Sequence, residues 1–216
     1  MAKNDLLNVA VVWTEDLACH DAQLAAAIHE CARTIPGCQF YIIGTGTIIR
    51  STEDANVAVV GNGDIDSNGF VVDLPSVARK LYNLRTGDYR CRYDAIIVIT
   101  QQRYVRYFSH TSPEYYRNGS GVISLEGWAD DEVEMVASLM LEHIMGHMFY
   151  HDGLQVHCEC PTCTMANLAN HDSVLNLIKH RSATGLDHFC PECQRWIRDS
   201  SFWSDQPSEV IRGERL

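Results

Sequence analysis

Residues 143–165 read HIMGHMFYHDGLQVHCECPTCTM, a stretch that holds four histidines and three cysteines. Three of the histidines, His147, His151 and His157, have the spacing of a catalytic zinc site. The residue after His147 is Met148, where a site of that kind carries a glutamate. The stretch therefore predicts a metal site and, in the same motif, the loss of the base that such a site uses.

The histidines begin on a predicted long helix. Asp130 and Asp131 suit its N-terminus, where the helix dipole favours acidic side chains, and Gly153 suits its C-terminal end. Apolar residues recur with the helical period of about 3.6 residues, at Val133, Met135, Val136, Leu139, Met140, Ile144 and Met148.

Two histidines one helical turn apart can bind one metal ion. His143, His147 and His151 share one helix face because they are spaced four residues apart. His157 can add a third nitrogen if the chain reverses at Gly153, which leaves a fourth position open for water. In the competing register, His143 and His147 would need a ligand at Gly153, which has no side chain. The later register is therefore preferred, and His143 becomes a core or supporting residue.

Four cysteines have the spacing of a structural zinc site: Cys158, Cys163, Cys190 and Cys193. The first two form C-x4-C and the last two form C-x2-C, with 26 residues between the pairs. Two thiolate pairs around one ion leave no open coordination position. Cys160 competes with Cys158 as a ligand. Zinc-binding turns more often have two residues between their cysteines, as between Cys160 and Cys163. The spacing alone leaves this choice open.

The first half of the chain is predicted to be α/β. Residues 94–99 (DAIIVI) form a continuous apolar run, which is typical of a central strand buried on both faces, and residues 121–125 (GVISL) suit an edge strand. The other predicted strands are 7–13, 39–43, 57–60 and 69–73, and the predicted helices are 17–34 and 75–84. The aromatic-rich segment 101–121 is predicted to be a loop near any substrate groove.

Composition excludes several classes of function. The chain has 216 residues and a net charge of −11, which argues against nucleic-acid binding and against a polybasic membrane anchor. No apolar run approaches the ~18 residues that span a membrane, and the N-terminus reads as a first strand and not a signal peptide. The chain has nine cysteines, and five of them cluster near the end. The odd count and the clustering indicate a cytoplasmic protein with thiolate metal ligands.

Together the motifs resemble those of the archaemetzincins, a metzincin branch of zinc metallopeptidases. The family signature is HExxHxxGxxHC, four residues, CxM, a spacer and CxxC, and it aligns with His147, His151, His157-Cys158, Cys163-Thr164-Met165 and Cys190-Pro191-Glu192-Cys193. The resemblance implies that the three histidines bind an active-site zinc and that Cys158, Cys163, Cys190 and Cys193 bind a second, structural zinc. It also implies that Met165 forms the Met-turn beneath the first zinc, and it favours Cys158 over Cys160.

The resemblance further implies an α/β fold with a metzincin-like mixed sheet, a long active-site helix and a zinc-stapled C-terminal subdomain. Residues 1–153 would form the α/β part that ends in the zinc-binding helix, and residues 154–216 would carry the Met-turn and the four-cysteine site. The chain departs from the family pattern in three places. The glutamate falls on Met148, the glycine falls on Leu154 with Gly153 one place early, and the spacer before Cys190 is longer.

The first departure concerns the chemistry. In such enzymes the glutamate accepts a proton from zinc-bound water, a contribution of roughly 10²–10⁴-fold in rate, and methionine cannot accept a proton. Zinc alone still lowers the pKa of its water, so weak hydrolysis stays open. Glu142 points to a different side of the helix from position 148, whereas Asp152, next to His151, is a candidate substitute base.

Three hypotheses follow. The first is an archaemetzincin-like two-zinc protein that has lost efficient peptidase activity and binds a peptide or protein. The second is an active zinc peptidase with a relocated base, from Asp152 or from the loop at residues 101–118. The third is a zinc-stabilised scaffold that only mediates interactions. The first ranks highest because the ligands are kept and the base is not.

Overall fold

A β–α–β unit begins the fold. Strand β1, Leu7–Trp13, leads through a 3-10 helix, Glu15–His20, and helix α1, Asp21–Thr34, to strand β2, Cys38–Ile43. The two strands are parallel, with Val9 opposite Phe40, because the helix returns the chain to the end of the sheet where it started. The computed structural model describes residues 7–35, 38–43, 71–72, 95–101, 103–104, 120–149, 160–166, 171–180, 185–199 and 209–212.

The larger sheet of the described chain has five parallel strands. Its order is β6-β4-β1-β2-β7, and the added strands are β4, Ala95–Thr100, β6, Ser120–Ser124, and β7, Glu209–Arg212. Two short strands, β3, Val71–Val72, and β5, Arg103–Tyr104, form a second parallel pair. The α/β class is confirmed. The mixed sheet that we expected is not seen among the described strands, where every pairing is parallel.

Most predicted strands lie where the sequence placed them. The strands expected at 7–13, 39–43, 94–99 and 121–125 correspond to β1, β2, β4 and β6. Of the strand expected at 69–73, only residues 71–72 are described, and they form β3. The helix expected from residue 17 starts at Asp21 after the 3-10 segment. The predicted strand 57–60 and helix 75–84 lie outside the described residues.

The sheet is apolar on both faces. On one face Val11, Ile97 and Ile99 join a large core cluster with helix residues. Val12 and Val98, which are paired neighbours in β1 and β4, are also buried but do not belong to that cluster. Since successive strand side chains point to opposite faces, these two valines lie on the second face. Burial on both faces explains the continuous apolar runs of β1 and β4.

Helix α2, Val133–Phe149, follows the edge strand β6 and carries the histidine motif. Gly127 has φ of 78°, a conformation that favours glycine, and it makes the turn between the two elements. The Glu132 carboxylate then accepts a hydrogen bond from the backbone N–H of Ala129 at 3.1 Å, which satisfies a donor in the turn before the helix. Residues 136–146 are all buried, whereas Met135 is 48% exposed despite its apolar character. The predicted end of the helix at Gly153 lies outside the described residues.

The last part of the described chain adds two helices and one strand. Helix α3 is His171–His180, a 3-10 helix is Gly185–His188, helix α4 is Pro191–Asp199, and β7 then pairs with β2. Helix α3 fills part of the spacer that looked long in the sequence. The division of the chain into residues 1–153 and 154–216 stays a prediction. Among the described helices, none combines the length and apolar content required to cross a bilayer.

Candidate metal centre

Three of the four predicted thiolate ligands lie together. Cys163 lies in the turn of residues 160–166, Cys190 directly precedes helix α4, and Cys193 lies in the first turn of that helix. The three sulfur atoms are all within 4.8 Å of one another. We call these residues the thiol group. Their approach depends on the chain between residues 163 and 190, because backbone N–H of Thr164 donates to the carbonyl of His188 at 2.9 Å and draws the two segments together.

The geometry of the thiol group fits a tetrahedral zinc ion. The sulfur atoms of Cys163 and Cys193 are 3.8 Å apart, much too far for a disulfide, whose S–S bond is about 2.05 Å. Zinc binds thiolates at about 2.3 Å, so the edge of its tetrahedron is about 3.8 Å. The sulfur separation therefore equals the separation expected of two thiolates that share one zinc ion.

Hydrogen bonds within the thiol group favour a thiolate at Cys163. The pKa of Cys163 is lowered to about 6, chiefly by the hydrogen bond with Cys193 and also by backbone N–H donors. Those donors are Met165 and Cys190, at 3.4 and 3.3 Å from the Cys163 sulfur. The same hydrogen bond raises the pKa of Cys193, and burial raises that of Cys190. Without a cation the group can ionise once with ease, whereas a divalent cation would stabilise all the thiolates.

Among the described residues, no fourth cysteine joins the thiol group. Cys160 is described and half-buried, but it is not a member of the thiol group. Its sulfur lies 3.8 Å from the Thr162 hydroxyl. Cys158, which the family resemblance favours as the ligand, lies outside the described residues. The choice of Cys158 over Cys160 therefore stays a prediction, and the position of Cys160 agrees with it.

The predicted histidine site is described only in part. His147 and Met148 lie in the last turn of helix α2, whereas His151, Asp152 and His157 lie outside the described residues. The assignment of the three histidines as zinc ligands, and of Asp152 as a substitute base, therefore stays a prediction. The structure does describe the helical turn that precedes His147 and the residues that contact it.

Met165 packs against that turn. It is fully buried, and its sulfur lies so close to Gly146 that any side chain at position 146 would overlap it. Because Gly146 directly precedes His147, the Met165 segment lies against the part of α2 that carries the histidine motif. This placement agrees with the Met-turn role, which stays a prediction.

His143 and Glu142 have structural partners inside the core. The Nδ1 atom of His143 donates to the carbonyl of Thr164 at 2.8 Å. Burial lowers the pKa of His143 to about 4, an effect that this hydrogen bond opposes, so the ring is neutral at pH 7. Glu142 is fully buried, and its carboxylate lies 3.2 Å from Nδ1 of His188. Glu142 is therefore engaged away from solvent.

Sequence reasoning missed three of these residues. Nothing in the spacing of Thr164 or His188 distinguished them, since their partners lie far away in the chain. A signal existed for Gly146, because a glycine inside a helix costs roughly 1 kcal/mol relative to alanine and often marks a close approach.

The comparisons with known proteins bear on the fold. The chain matches no family model and no curated protein. Among solved structures, it is similar to the crystal structure of archaemetzincin from Methanopyrus kandleri, with a TM-score of 0.58 and 15% sequence identity, over 92% of this chain and 97% of that chain. The alignment thus covers nearly the whole of both chains, and at this identity it establishes a similar fold.

We expect Cys193→Ser to lower the free energy of unfolding of zinc-loaded protein by more than about 4 kcal/mol, the range associated with loss of a structural metal. The matched control is Cys19→Ser, because Cys19 is exposed and lies outside the thiol group. It should change stability by no more than about 0.5 kcal/mol. Chemical denaturation of the two variants measures both values, and equal stabilities would contradict a structural role for the thiol group.

We expect Gly146→Ala to destabilise the protein by about 1–2 kcal/mol, because the overlap with Met165 outweighs the gain in helix propensity. In a Met165→Ala background the same change should become stabilising by up to about 1 kcal/mol, since the overlapping sulfur is gone. Chemical denaturation of the wild type, the two single variants and the double variant gives the coupling free energy between positions 146 and 165. A stabilising Gly146→Ala in the otherwise wild-type chain would show that Met165 does not lie against α2.

Proposed function

We propose that this chain is an archaemetzincin-like two-zinc protein that binds a peptide or protein and has weak or no peptidase activity. His147, His151 and His157 would hold one zinc ion, and Cys158, Cys163, Cys190 and Cys193 would hold the other. The observation that carries the proposal is the thiol group, whose sulfur spacing suits zinc. It lies on segments joined to the helix that bears the histidine motif.

The proposed loss of activity rests on Met148. A zinc ion bound by three histidines supplies a Lewis acid that lowers the pKa of bound water. Efficient peptide hydrolysis also requires a group that accepts the proton of that water and passes it to the leaving amine. Met148 cannot do so, and Glu142 is fully buried beside His188, so it is not available to a substrate. Binding of a peptide or protein would require the zinc ligands but not the base.

The two alternatives differ from this proposal in what they require. A working peptidase requires a base from elsewhere, with Asp152 as the nearest candidate in sequence. In the scaffold, the histidines would hold zinc structurally, and the protein would only mediate interactions. The domain division, with the C-terminal part stapled by the thiolate zinc, belongs to the same proposal, as does a cytoplasmic location.

We expect elemental analysis of protein purified without chelator to find two zinc ions per chain. Mild chelation should remove one of them first, because three histidines leave an open position whereas four thiolates do not. His151→Ala should retain one zinc ion that resists mild chelation, and Cys193→Ser should lose that resistant ion. One zinc ion per chain in the wild type, unaffected by His151→Ala, would contradict the proposed histidine zinc site.

We expect the wild type to cleave general peptide substrates barely above background, and Met148→Glu to increase the rate by up to about 10²-fold. Met148→Gln is the matched control, because it has the size and polarity of glutamate but cannot accept the proton. Saturation of the Met148→Glu rate with increasing peptide concentration would show that the protein binds the peptide. The gain should vanish when His147→Ala is added. A wild type that cleaves efficiently and loses activity in Asp152→Asn would establish the relocated base instead.

A further inference from the structure

Four buried residues connect helix α2 to the thiol group through hydrogen bonds: Glu142, His143, Thr164 and His188. His143 donates from Nδ1 to the Thr164 carbonyl at 2.8 Å. The backbone N–H and the hydroxyl of Thr164 donate to the His188 carbonyl at 2.9 and 3.0 Å. The His188 ring lies 3.2 Å from the Glu142 carboxylate. We call this closed ring of contacts the polar bridge.

The polar bridge lies beside the metal ligands in the chain. Thr164 is the residue between Cys163 and Met165, and His188 precedes Cys190 by two residues. The bridge therefore ties both halves of the thiol group to adjacent residues of α2. Its members are at most 5% exposed, with Glu142 at 0% and His188 at 5%.

Buried polar groups at this location need an explanation. Moving a carboxylate and an imidazole out of water costs several kcal/mol unless they are paired, and apolar side chains of similar size often fill such space at least as well. Hydrogen bonds differ from apolar contacts in being directional, so they fix the relative positions of the groups they join. A metal site benefits from such precision, because its ligands must meet at one point with a defined geometry.

We propose that Glu142 and His188 are positioning residues of the thiolate metal site, which act through Thr164 to hold Cys163 against Cys190 and Cys193. This inference rests on the proposed binding of zinc by the thiol group. In the absence of the Glu142 carboxylate, the His188 ring loses the contact that anchors it to α2. The His188 carbonyl, to which Thr164 is bonded, is then less well fixed, and the two halves of the thiol group are held together less precisely.

The variants Glu142→Leu and Glu142→Gln test this role in the full chain. Leucine fills similar space without an acceptor, whereas glutamine keeps an oxygen that can accept from His188. Cobalt(II) is the probe, because thiolate-to-cobalt absorption reports the thiol group and is blind to a site of histidines alone. Displacement of that absorption by zinc gives the affinity. Glu142→Leu should weaken zinc binding about 10–100-fold, as removal of groups that orient metal ligands does, and Glu142→Gln should restore most of it.

A stability-matched control separates positioning from general destabilisation. Val98→Ala removes buried methyl groups from the opposite face of the sheet, and it should lower the melting temperature without weakening zinc binding. A second pair of variants tests the role if Glu142→Leu fails to fold. Thr164→Val removes the hydroxyl bonded to His188 and should weaken zinc binding, whereas Thr164→Ser keeps the hydroxyl and should not.

The outcomes are distinguishable. A wild type without thiolate-to-cobalt absorption would overturn the thiolate zinc site and this inference together. Normal absorption with unchanged zinc affinity in Glu142→Leu, or in Thr164→Val where the first variant does not fold, would overturn the positioning role alone. Equal losses of affinity in Val98→Ala and Glu142→Leu at matched stability would also overturn it.

Discussion

The burial of helix α2 is the constraint on which the rest of the described structure depends. From residue 136 to residue 146 the helix has no exposed face, so each of its polar groups must find a partner inside the protein or be left unsatisfied at a cost of about 1–3 kcal/mol. Glu142 finds His188, and His143 finds the Thr164 carbonyl. Both partners lie on segments beyond the histidine motif. The polar groups of α2 therefore help to position the segments that contain Thr164 and His188.

The return of the chain also brings the thiols together. Thr164 and His188 are bonded to each other as well as to α2, and the cysteines that flank them come within bonding distance of one metal ion. Packing, hydrogen bonding and metal binding thus act on the same short segments. A zinc ion in the thiol group and the buried side of α2 would each stabilise the arrangement that the other requires.

The close approach of Met165 to Gly146 is a steric requirement of the packing beneath α2. A proton acceptor after His147 is a requirement of hydrolysis and not of packing. The proposed function keeps the first requirement and lacks the second.

The sequence by itself determined the local features. Short apolar runs predicted four of the strands of the larger sheet, and the period of the apolar residues predicted α2, because both patterns depend on neighbours within a few positions. The pairing of Cys190 with Cys193 was predictable for the same reason. The resemblance to archaemetzincins rested on such local spacings, and the similarity in fold agrees with it.

Only the tertiary structure decided which distant residues meet. Met135 follows the apolar period of α2 yet is 48% exposed, whereas Glu142 breaks that period and is fully buried, because burial depends on which segments cover each side of the helix. Glu142 and His188 are 46 positions apart, and β7 returns from the end of the chain to pair with β2. No periodicity encodes these contacts. They arise from the free energy of packing together segments that are distant in the sequence.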